Sequence, residues 1–262
     1  MMKVKEIVCA LEQFAPLPLQ DGWDNAGMQV GLTEAEATGA LLCLDVTEAV
    51  VDEAVALGYN LIVSHHPLIF QGLKSITGRN YVERCVLKAL RYGICICSMH
   101  TNMDNAVNGV NYKIAEKLGM KVSGFLLPKN DTREESGSGI VGELTEAMPK
   151  MEFLKRVKER FDVSCLKYND CDIEMVKTVA LCGGSGAFLL AEAIDRGADV
   201  FLTGEIKYHE YFGHERDILM VETGHYESEQ YTTEIFKSII NGVCPEIPVK
   251  QTSACTNPIK YL

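Results

Sequence analysis

Short runs of apolar residues alternate with amphipathic segments along most of the chain. ALLCLD (40–45) and NLIVS (60–64) each have the length of one buried strand, and TEAVVDEAVALG (47–58) between them has apolar residues at helical spacing. The same order returns further along the chain in TVALCGG (178–184), AFLLAEAIDRG (187–197) and DVFLTG (199–204). Buried strands that alternate with helices form parallel sheets, so the pattern predicts an α/β protein.

The two strand-helix-strand segments are related by an internal repeat. Leu42, Cys43, Glu53, Ala54 and Gly58 recur 139 positions later as Leu181, Cys182, Glu192, Ala193 and Gly197. A second match, 125 positions apart, places ICICSMHTNMD over LMVETGHYESE, so that His100 corresponds to His225 and Asp104 to Glu229. Apolar matches are common between any two such segments, but the fold does not require polar pairs at strand ends. We therefore predict two similar α/β/α halves with mainly parallel sheets.

The boundary between these halves is predicted in the polar stretch PKNDTREESGSG (128–139), which has no apolar periodicity. The halves then comprise residues 1–125 and 126–262. The carboxyl ends of parallel strands are where α/β proteins place their sites, so we expect a functional site in the cleft between the halves.

Two adjacent histidines, His65 and His66, end the buried strand of NLIVSHHPLIF, and Pro67 marks the exit from that strand. Two histidines on a surface turn are often inert, so this motif alone leaves metal binding and a solvated turn about equally open. HTNMD and GHYESE change that balance, because each also follows an apolar strand. Together they predict a two-metal site with the ligands His65, His66, Asp104, His225 and Glu229.

Imidazoles and carboxylates without thiolates suit zinc, manganese, iron or cobalt, and the residues do not choose among these metals. Five ligands cannot close two coordination shells, so Asp104 and Glu229 are the predicted bridges and open positions remain for water. Glu229 is therefore also a catalytic candidate. For His100 we favour a role in orienting the ligands or in acid/base catalysis over direct metal ligation.

Further polar residues are predicted near these strand ends. The glycine-rich CGGSG turn, with Gly184, Ser185 and Gly186, could hold a phosphate, although tight packing of a strand against a helix explains it as well. Asp45, Glu205 and His209 are candidates for contacting the substrate. Trp23, in DGWDNAGMQVG, is expected in the core, whereas Asp24 and Asn25 could face the site.

Composition narrows the class of protein. The chain has 262 residues, of which 47% are hydrophobic, and its net charge of −11 argues against a nucleic-acid surface. Its ten cysteines contain no CxxC pair and mostly lie in apolar runs, which favours reduced core thiols. The first residues are interrupted by charges, and no stretch has the roughly 20 apolar residues of a membrane span. We expect a cytoplasmic protein without membrane contact.

The ordered set WDNAGMQVG, LDVTEAVVDEA, SHHPLIF, HTNMD, CGGSG, TGEIKYH and GHYESE resembles the NIF-three-like family of dinuclear-metal-centre hexamers, which are also named GTP cyclohydrolase 1 type 2 homologues. The resemblance spans nearly the whole chain. It implies metal ligation by the same five residues, two divalent ions in each subunit and a homohexameric ring. The chain resembles the short form of the family, without the domain that longer relatives carry in mid-chain.

Three functions follow from the site and the resemblance. The first is a dinuclear-metal-dependent hydrolase acting on a nucleotide, whose most specific form is a GTP cyclohydrolase that opens the purine ring with metal-activated water. The second is a metal-binding scaffold or trafficking protein without turnover. The third is a phosphoesterase, since paired metals often serve phosphoryl chemistry.

Overall fold

Residues 2–129 and 135–262 are described by the computed structural model of the protein. They divide into two compact units. The first comprises Met1–Met103 and Thr232–Pro258, and the second comprises Asp104–Tyr231 and Ile259–Leu262.

The first unit is built on a five-stranded sheet. Its strands are β1 (Gly27–Val30), β2 (Ala40–Cys43), β3 (Leu61–Ser64), β4 (Cys95–Ser98) and β11 (Val249–Gln251), and its helices are α1 (Val4–Phe14), α2 (Glu48–Leu57), α3 (Tyr81–Arg91) and α9 (Thr232–Val243). The strand order is β1-β4-β3-β2-β11. All neighbours run parallel except β1, which is antiparallel to β4.

The central strands of this sheet, β2, β3 and β4, are buried at every position. Their continuous apolar sequence is what a parallel sheet covered on both faces requires. Helix α2 packs against α3, and α1 packs against α9. Thr47 begins α2 by accepting the amide N–H of Val50 at 3.3 Å, which is an ordinary helix cap.

The second unit is built on a six-stranded sheet. Its strands are β5 (Met120–Pro128), β6 (Gly137–Pro149), β7 (Lys167–Tyr168), β8 (Met175–Cys182), β9 (Val200–Thr203) and β10 (Leu219–Glu222), and its helices are α5 (Val110–Leu118), α6 (Lys150–Arg160), α7 (Leu190–Asp195) and α8 (His225–Glu229). A further short helix, α4 (Thr101–Asn105), lies where the chain passes from one unit to the other. The strand order is β5-β6-β8-β9-β10-β7, and only β8, β9 and β10 are parallel.

The predicted α/β fold with two sheets is confirmed, and the internal repeat has a structural counterpart. In the first unit Cys43 pairs with Ser64, and in the second Cys182 pairs with Thr203. Each residue of the second pair lies 139 positions after its partner in the first, so the repeat preserves the strand register. The second sheet is mixed rather than mainly parallel, because the β5–β6 hairpin and β7 add antiparallel pairs to its edges.

The observed units differ from the predicted division into residues 1–125 and 126–262. The polar stretch 128–139 joins two strands of one sheet, because Pro128 pairs with Gly137; residues 130–134 within it lie outside the described residues. The last part of the chain returns to the first unit, where β11 pairs with β2 and α9 packs on α1. These pairings join residues about 200 positions apart, which local patterns do not reveal.

Two predictions from composition concern the membrane and the thiols. None of the helices in the described ranges has both the length and the apolar character needed to cross a bilayer. All ten cysteines are free thiols and seven of them are buried, in agreement with the prediction of reduced core cysteines.

Candidate metal centre

His65 and His66 extend the ladder of hydrogen bonds beyond the end of β3. The amide N–H of His66 donates to the carbonyl of Leu44 at 2.9 Å, and Ser64 Oγ donates to the carbonyl of His66 at the same distance. Pro67 follows and has no N–H to continue the ladder. The backbone thus holds both histidines where the strand ends, and His65 is fully buried.

Hydrogen bonds at Nδ1 fix the orientation of these two rings. His65 Nδ1 lies 2.9 Å from the carbonyl oxygen of Met99, and His66 Nδ1 lies 2.8 Å from Asp45 Oδ1. A carbonyl or carboxylate oxygen only accepts, so Nδ1 of each ring carries the proton. In the neutral ring the lone pair is then on Nε2, which is the arrangement found in histidines that bind metals through Nε2.

His100 is oriented in the same way by Asp24. The distance from His100 Nδ1 to Asp24 Oδ1 is 2.7 Å, and Asp24 Oδ2 accepts the amide N–H of Thr101 at 3.0 Å. Burial would raise the pKa of Asp24, but the hydrogen bonds from His100 and Thr101 outweigh it and hold the pKa at about 2. Asp24 is therefore a carboxylate at neutral pH, able to keep Nδ1 of His100 protonated.

These three histidines converge within the first unit. One ring nitrogen of each of His65, His66 and His100 lies within 4.8 Å of those of the other two. Nitrogen atoms of neutral imidazoles gathered in this way fit zinc, manganese, iron or cobalt. The grouping is compatible with His100 as a ligand and with the orienting or acid/base role favoured from the sequence, so that role stays a prediction.

The second unit carries its own candidate metal ligands in α8. His225 Nε2 lies 3.2 Å from Glu229 Oε2, one helical turn on, and His225 Nδ1 lies 3.0 Å from Glu205 Oε1. Ser185 Oγ donates to Glu205 Oε2 at 2.6 Å. Burial raises the pKa of Glu205, but the hydrogen bond from Ser185 and the charge of His225 outweigh it, so the net shift is downward.

Asp104 and Glu229 place two carboxylates close together in the second unit. An oxygen of each lies within 4.8 Å of the other, and Glu229 is only 3% exposed. Two like charges at this distance repel each other unless a cation lies between them. The pair therefore fits a divalent ion, and a carboxylate is the group that bridges two such ions most readily.

The glycine-rich turn has a different use from the predicted phosphate cradle. The amide N–H groups of Gly183, Gly184 and Gly186 donate to side-chain oxygens of Asn111, Ser228 and Thr203, each at 3.0 Å. These three amides are not presented to a phosphate. A Cβ on Gly184 would lie 2.2 Å from Glu229 Oε1, so glycine at this position makes room for the Glu229 carboxylate.

The remaining candidates contact other residues of the protein, and their contact with a substrate stays a prediction. Asp45 and Glu205, proposed to contact substrate, hold the rings of His66 and His225. His209 is exposed on a 3-10 turn, where its ring packs against Tyr208 at 5.2 Å. The expectation that Trp23 lies in the core is wrong, because it is 60% exposed. Its place in a turn between Asp21 and Asp24 was the signal for exposure, since such turns lie on the surface.

The chain belongs to the Duf34/NIF3 (NGG1p interacting factor 3) family, whose model it matches over residues 2–258. This agrees with the resemblance found in the sequence motifs.

Individual relatives support the same assignment. The chain is 32% identical to a GTP cyclohydrolase 1 type 2 homolog from Clostridium acetobutylicum, over 99% of both chains. It is 37% identical to a protein of the same name from Lactococcus lactis, over 86% of each. The crystal structure of Staphylococcus aureus protein SA1388 matches with a TM-score of 0.90 and 25% identity, covering 100% of this chain and 99% of that one.

Proposed function

We propose that the protein is a dinuclear-metal-dependent hydrolase that acts on a nucleotide. His65, His66, Asp104, His225 and Glu229 would hold two divalent ions, whether zinc, manganese, iron or cobalt. GTP cyclohydrolase activity is the most specific form of the proposal, and the names of the relatives from C. acetobutylicum and L. lactis support it. The homohexameric ring implied by the family resemblance is part of the same proposal.

The orientation of the histidines is the observation that carries the proposal. Four rings, those of His65, His66, His100 and His225, have Nδ1 bonded to a carbonyl or carboxylate oxygen. Such hydrogen bonds raise the basicity of the ligating nitrogen and remove its rotational freedom before a metal arrives. His214 also has Nδ1 near a carboxylate, 3.3 Å from Asp217 Oδ2 on an exposed turn, but it stands outside the groups of candidate ligands, so the grouping and the Nδ1 contacts together distinguish the other four rings.

Open coordination positions favour catalysis. Five protein ligands leave both ions incomplete, and catalytic sites differ from structural ones in this respect. When bound, a pair of divalent ions supplies Lewis acidity and lowers the pKa of water to near neutrality. His100, with Nδ1 held by Asp24, is placed to give or accept a proton at Nε2.

The test begins with elemental analysis of protein purified without added metal. The protein is then loaded with the metal found and incubated with GTP, and formate release is followed by chromatography. We expect turnover that chelation abolishes and that Glu229→Gln removes. The His214→Ala variant is the matched control, because that histidine contacts Asp217 on an exposed turn and belongs neither to the candidate metal ligands nor to the residues predicted to contact substrate. No formate with zinc, manganese, iron or cobalt would contradict the GTP form of the proposal.

A metal-binding scaffold is the second candidate, and burial favours it. His65 is 0% exposed and Glu229 is 3% exposed, so ions held by them would exchange slowly. A scaffold predicts a large rise in melting temperature on metal binding without turnover of any nucleotide or phosphate ester. The hydrolase proposal instead predicts that Glu229→Gln abolishes a measured turnover in protein that still melts cooperatively.

A further inference from the structure

Two exposed aromatic rings stand beside the histidine cluster of the first unit. Trp23 is 60% exposed and Phe70 is 50% exposed, and their ring centroids are 5.7 Å apart. Both rings also meet His100 edge to face, at 5.8 Å and 6.1 Å. Large aromatic side chains are usually buried, so a pair left in solvent next to candidate metal ligands requires an explanation.

Hydrogen bonds hold the two loops that carry these rings. Asn25 Nδ2 donates to the carbonyl of Ile69 at 2.6 Å, and Gln29 Oε1 accepts the amide N–H of Ile69 at 3.2 Å. On the other side of Trp23, the amide N–H of Asp21 donates to Thr101 Oγ1 at 2.9 Å. The rings are thus fixed from behind by polar contacts while their faces stay open to solvent, as in a binding surface that is formed before the ligand arrives.

A cavity of about 430 Å³ adjoins this aromatic pair, because Phe70 lines it as well. Tyr81 is on its wall, and burial, followed by the negative charge of Asp45, raises the pKa of that tyrosine. Phe70 lines the cavity and its ring centroid is 6.1 Å from that of His100, so the cavity lies beside the histidine cluster. Its volume is in the range of small-molecule sites.

Positive charge predominates on the wall of the cavity, although the protein as a whole carries a charge of −11. Lys74 and Arg79 line it and are exposed, against one carboxylate, Glu83. That carboxylate accepts the amide N–H groups of Thr77 and Arg79, at 2.8 and 3.0 Å. The Arg79 side chain donates to the hydroxyl groups of Thr77 and Ser75. These amide hydrogen bonds, and then the positive charge of Arg79, lower the pKa of Glu83. Two cations against one carboxylate leave a net positive charge on the wall.

We infer that Trp23 and Phe70, together with Lys74 and Arg79, form the subsite that binds a nucleoside phosphate beside the metal centre. The inference rests on the proposed function, for which it names the residues that recognise the substrate. The base stacks on an exposed ring face of the aromatic pair. The phosphates lie toward the positively charged side chains of Lys74 and Arg79. The rings touch each other, so the base does not insert between them, which would require a separation of about 7 Å.

Fluorescence tests this directly, because Trp23 is the only tryptophan in the sequence. GTP, guanosine and inorganic triphosphate are titrated into the metal-depleted protein, in which coordination of phosphate by metal cannot contribute. We expect saturable quenching by GTP, weaker binding of guanosine, and the weakest response to triphosphate. Fluorescence that no nucleotide alters would overturn the inference. If that fluorescence is also typical of a tryptophan shielded from water, it would indicate that a second copy of the chain covers these rings.

Variants separate the two parts of the subsite. Phe70→Ala should weaken GTP binding about tenfold, the usual effect of losing one stacking partner. Lys74→Gln combined with Arg79→Gln should weaken GTP binding and leave guanosine binding unchanged. Phe212→Ala and Lys155→Gln, at exposed positions of the second unit, are the matched controls. Equal losses in the controls would contradict the subsite.

The inference and the proposed function fail in different ways. Formate release from GTP with an unchanged KM in Phe70→Ala would refute the subsite and leave the hydrolase. Saturable GTP binding that Phe70→Ala weakens, without formate from metal-loaded protein, would support the subsite and refute the cyclohydrolase. Melting curves of each variant show whether it is folded, so a loss of binding is not mistaken for a loss of structure.

Discussion

The ends of corresponding strands differ between the two units of this protein. Two residues after β2 the first unit has Asp45, and two residues after the equivalent strand β8 the second unit has Gly184. Two residues after β3 the first unit has His66, and two residues after the equivalent strand β9 the second unit has Glu205. In the first unit the carboxylate after β2 orients a histidine after β3. In the second unit the carboxylate after β9 orients His225, which follows β10. The repeated fold supplies the positions, and the two units fill them with ligands and orienting groups in a different order.

The strand register shows one further difference. Leu61 and Val200 are equivalent in the repeat, and their strand partners are Cys95 and Leu219. β4 and β10 are therefore equivalent at a separation of 124 positions, whereas the His/acid pairs that follow them align at 125. The second unit therefore has one residue more before its histidine. That residue is accommodated by Gly224, which has φ of 101° and where a Cβ would clash with the Glu227 carboxylate. A positive φ of this kind favours glycine.

The largest expected effect is the loss of metal when His65 is replaced, because the equivalent position of the second unit has no histidine. His65→Ala should lower metal affinity by more than the roughly 10–100-fold that follows loss of an outer hydrogen-bond partner. A chelator-competition titration measures the affinity. Its control is His209→Ala, because His209 is not among the candidate metal ligands of either unit. Unchanged affinity in His65→Ala would show that the first unit does not supply this ligand.

Gly184 is equivalent in the repeat to Asp45 of the first unit, and the Gly184→Ala variant tests why the second unit has glycine there. Gly184→Ala should cost about 3 kcal/mol of folding free energy, because its φ of 61° and its Cβ, 2.2 Å from Glu229 Oε1, are both unfavourable. Gly58→Ala is the matched control, with φ of 70° and open space, and should cost only about 1 kcal/mol. Urea unfolding gives both values. Equal costs would mean that backbone conformation alone selects glycine at position 184.

Much of this fold can be predicted from the sequence. β2, β3, β8 and β9 were recognisable because strands buried on both faces are continuously apolar, and α2 was recognisable from its helical spacing. The β5–β6 hairpin was not, because β5 and the second half of β6 mix buried and exposed residues without a regular period, and the connection between the strands is polar. The return of α9 and β11 to the first unit depends on long-range pairing, which no local pattern encodes.

The candidate site was predictable in its residue types but only partly in its contacts. His65, His66, His225 and Glu229 follow apolar strands, and that position is visible in the sequence. The partners of their rings are not visible, because Glu205 and His225 are brought together by the crossover between β9 and β10. Asp24 was a candidate for facing the site, but its contact with His100, 76 residues away, is a long-range pairing that the sequence does not show.

The two orienting carboxylates should have similar effects if their roles are matched. Asp45→Ala and Glu205→Ala should each lower metal affinity about 10–100-fold, because each frees the Nδ1 side of one histidine. Glu205→Gln should have the smaller effect, since the amide oxygen still accepts from His225 Nδ1. Metal titration of the three variants measures this. A loss confined to one unit would show that the other histidine is held by packing alone.

The smallest effect concerns Glu53 and its counterpart in the repeat, Glu192. Glu53 accepts hydrogen bonds from Thr252 Oγ1 at 2.6 Å and from Lys250 Nζ at 2.9 Å, both in the returning carboxyl-terminal segment. Glu192 Oε2 has no hydrogen-bond partner among the described residues. Glu53→Gln should therefore cost about 1–2 kcal/mol of folding free energy, and Glu192→Gln less than about 0.5 kcal/mol.

The pH dependence of Glu53→Gln identifies the cause. Burial would raise the pKa of Glu53, but hydrogen bonds from Thr252, Lys250 and Ser253 outweigh it and hold the pKa at about 2, below the ordinary 4.5. A lowered folded-state pKa stabilises the protein above pH 4.5, and that contribution is lost as the pH falls toward 2. The difference between wild type and variant, measured by urea unfolding, should narrow over this range. A constant difference would mean that the Glu53 side chain acts through packing, and that its charge does not hold the returning segment.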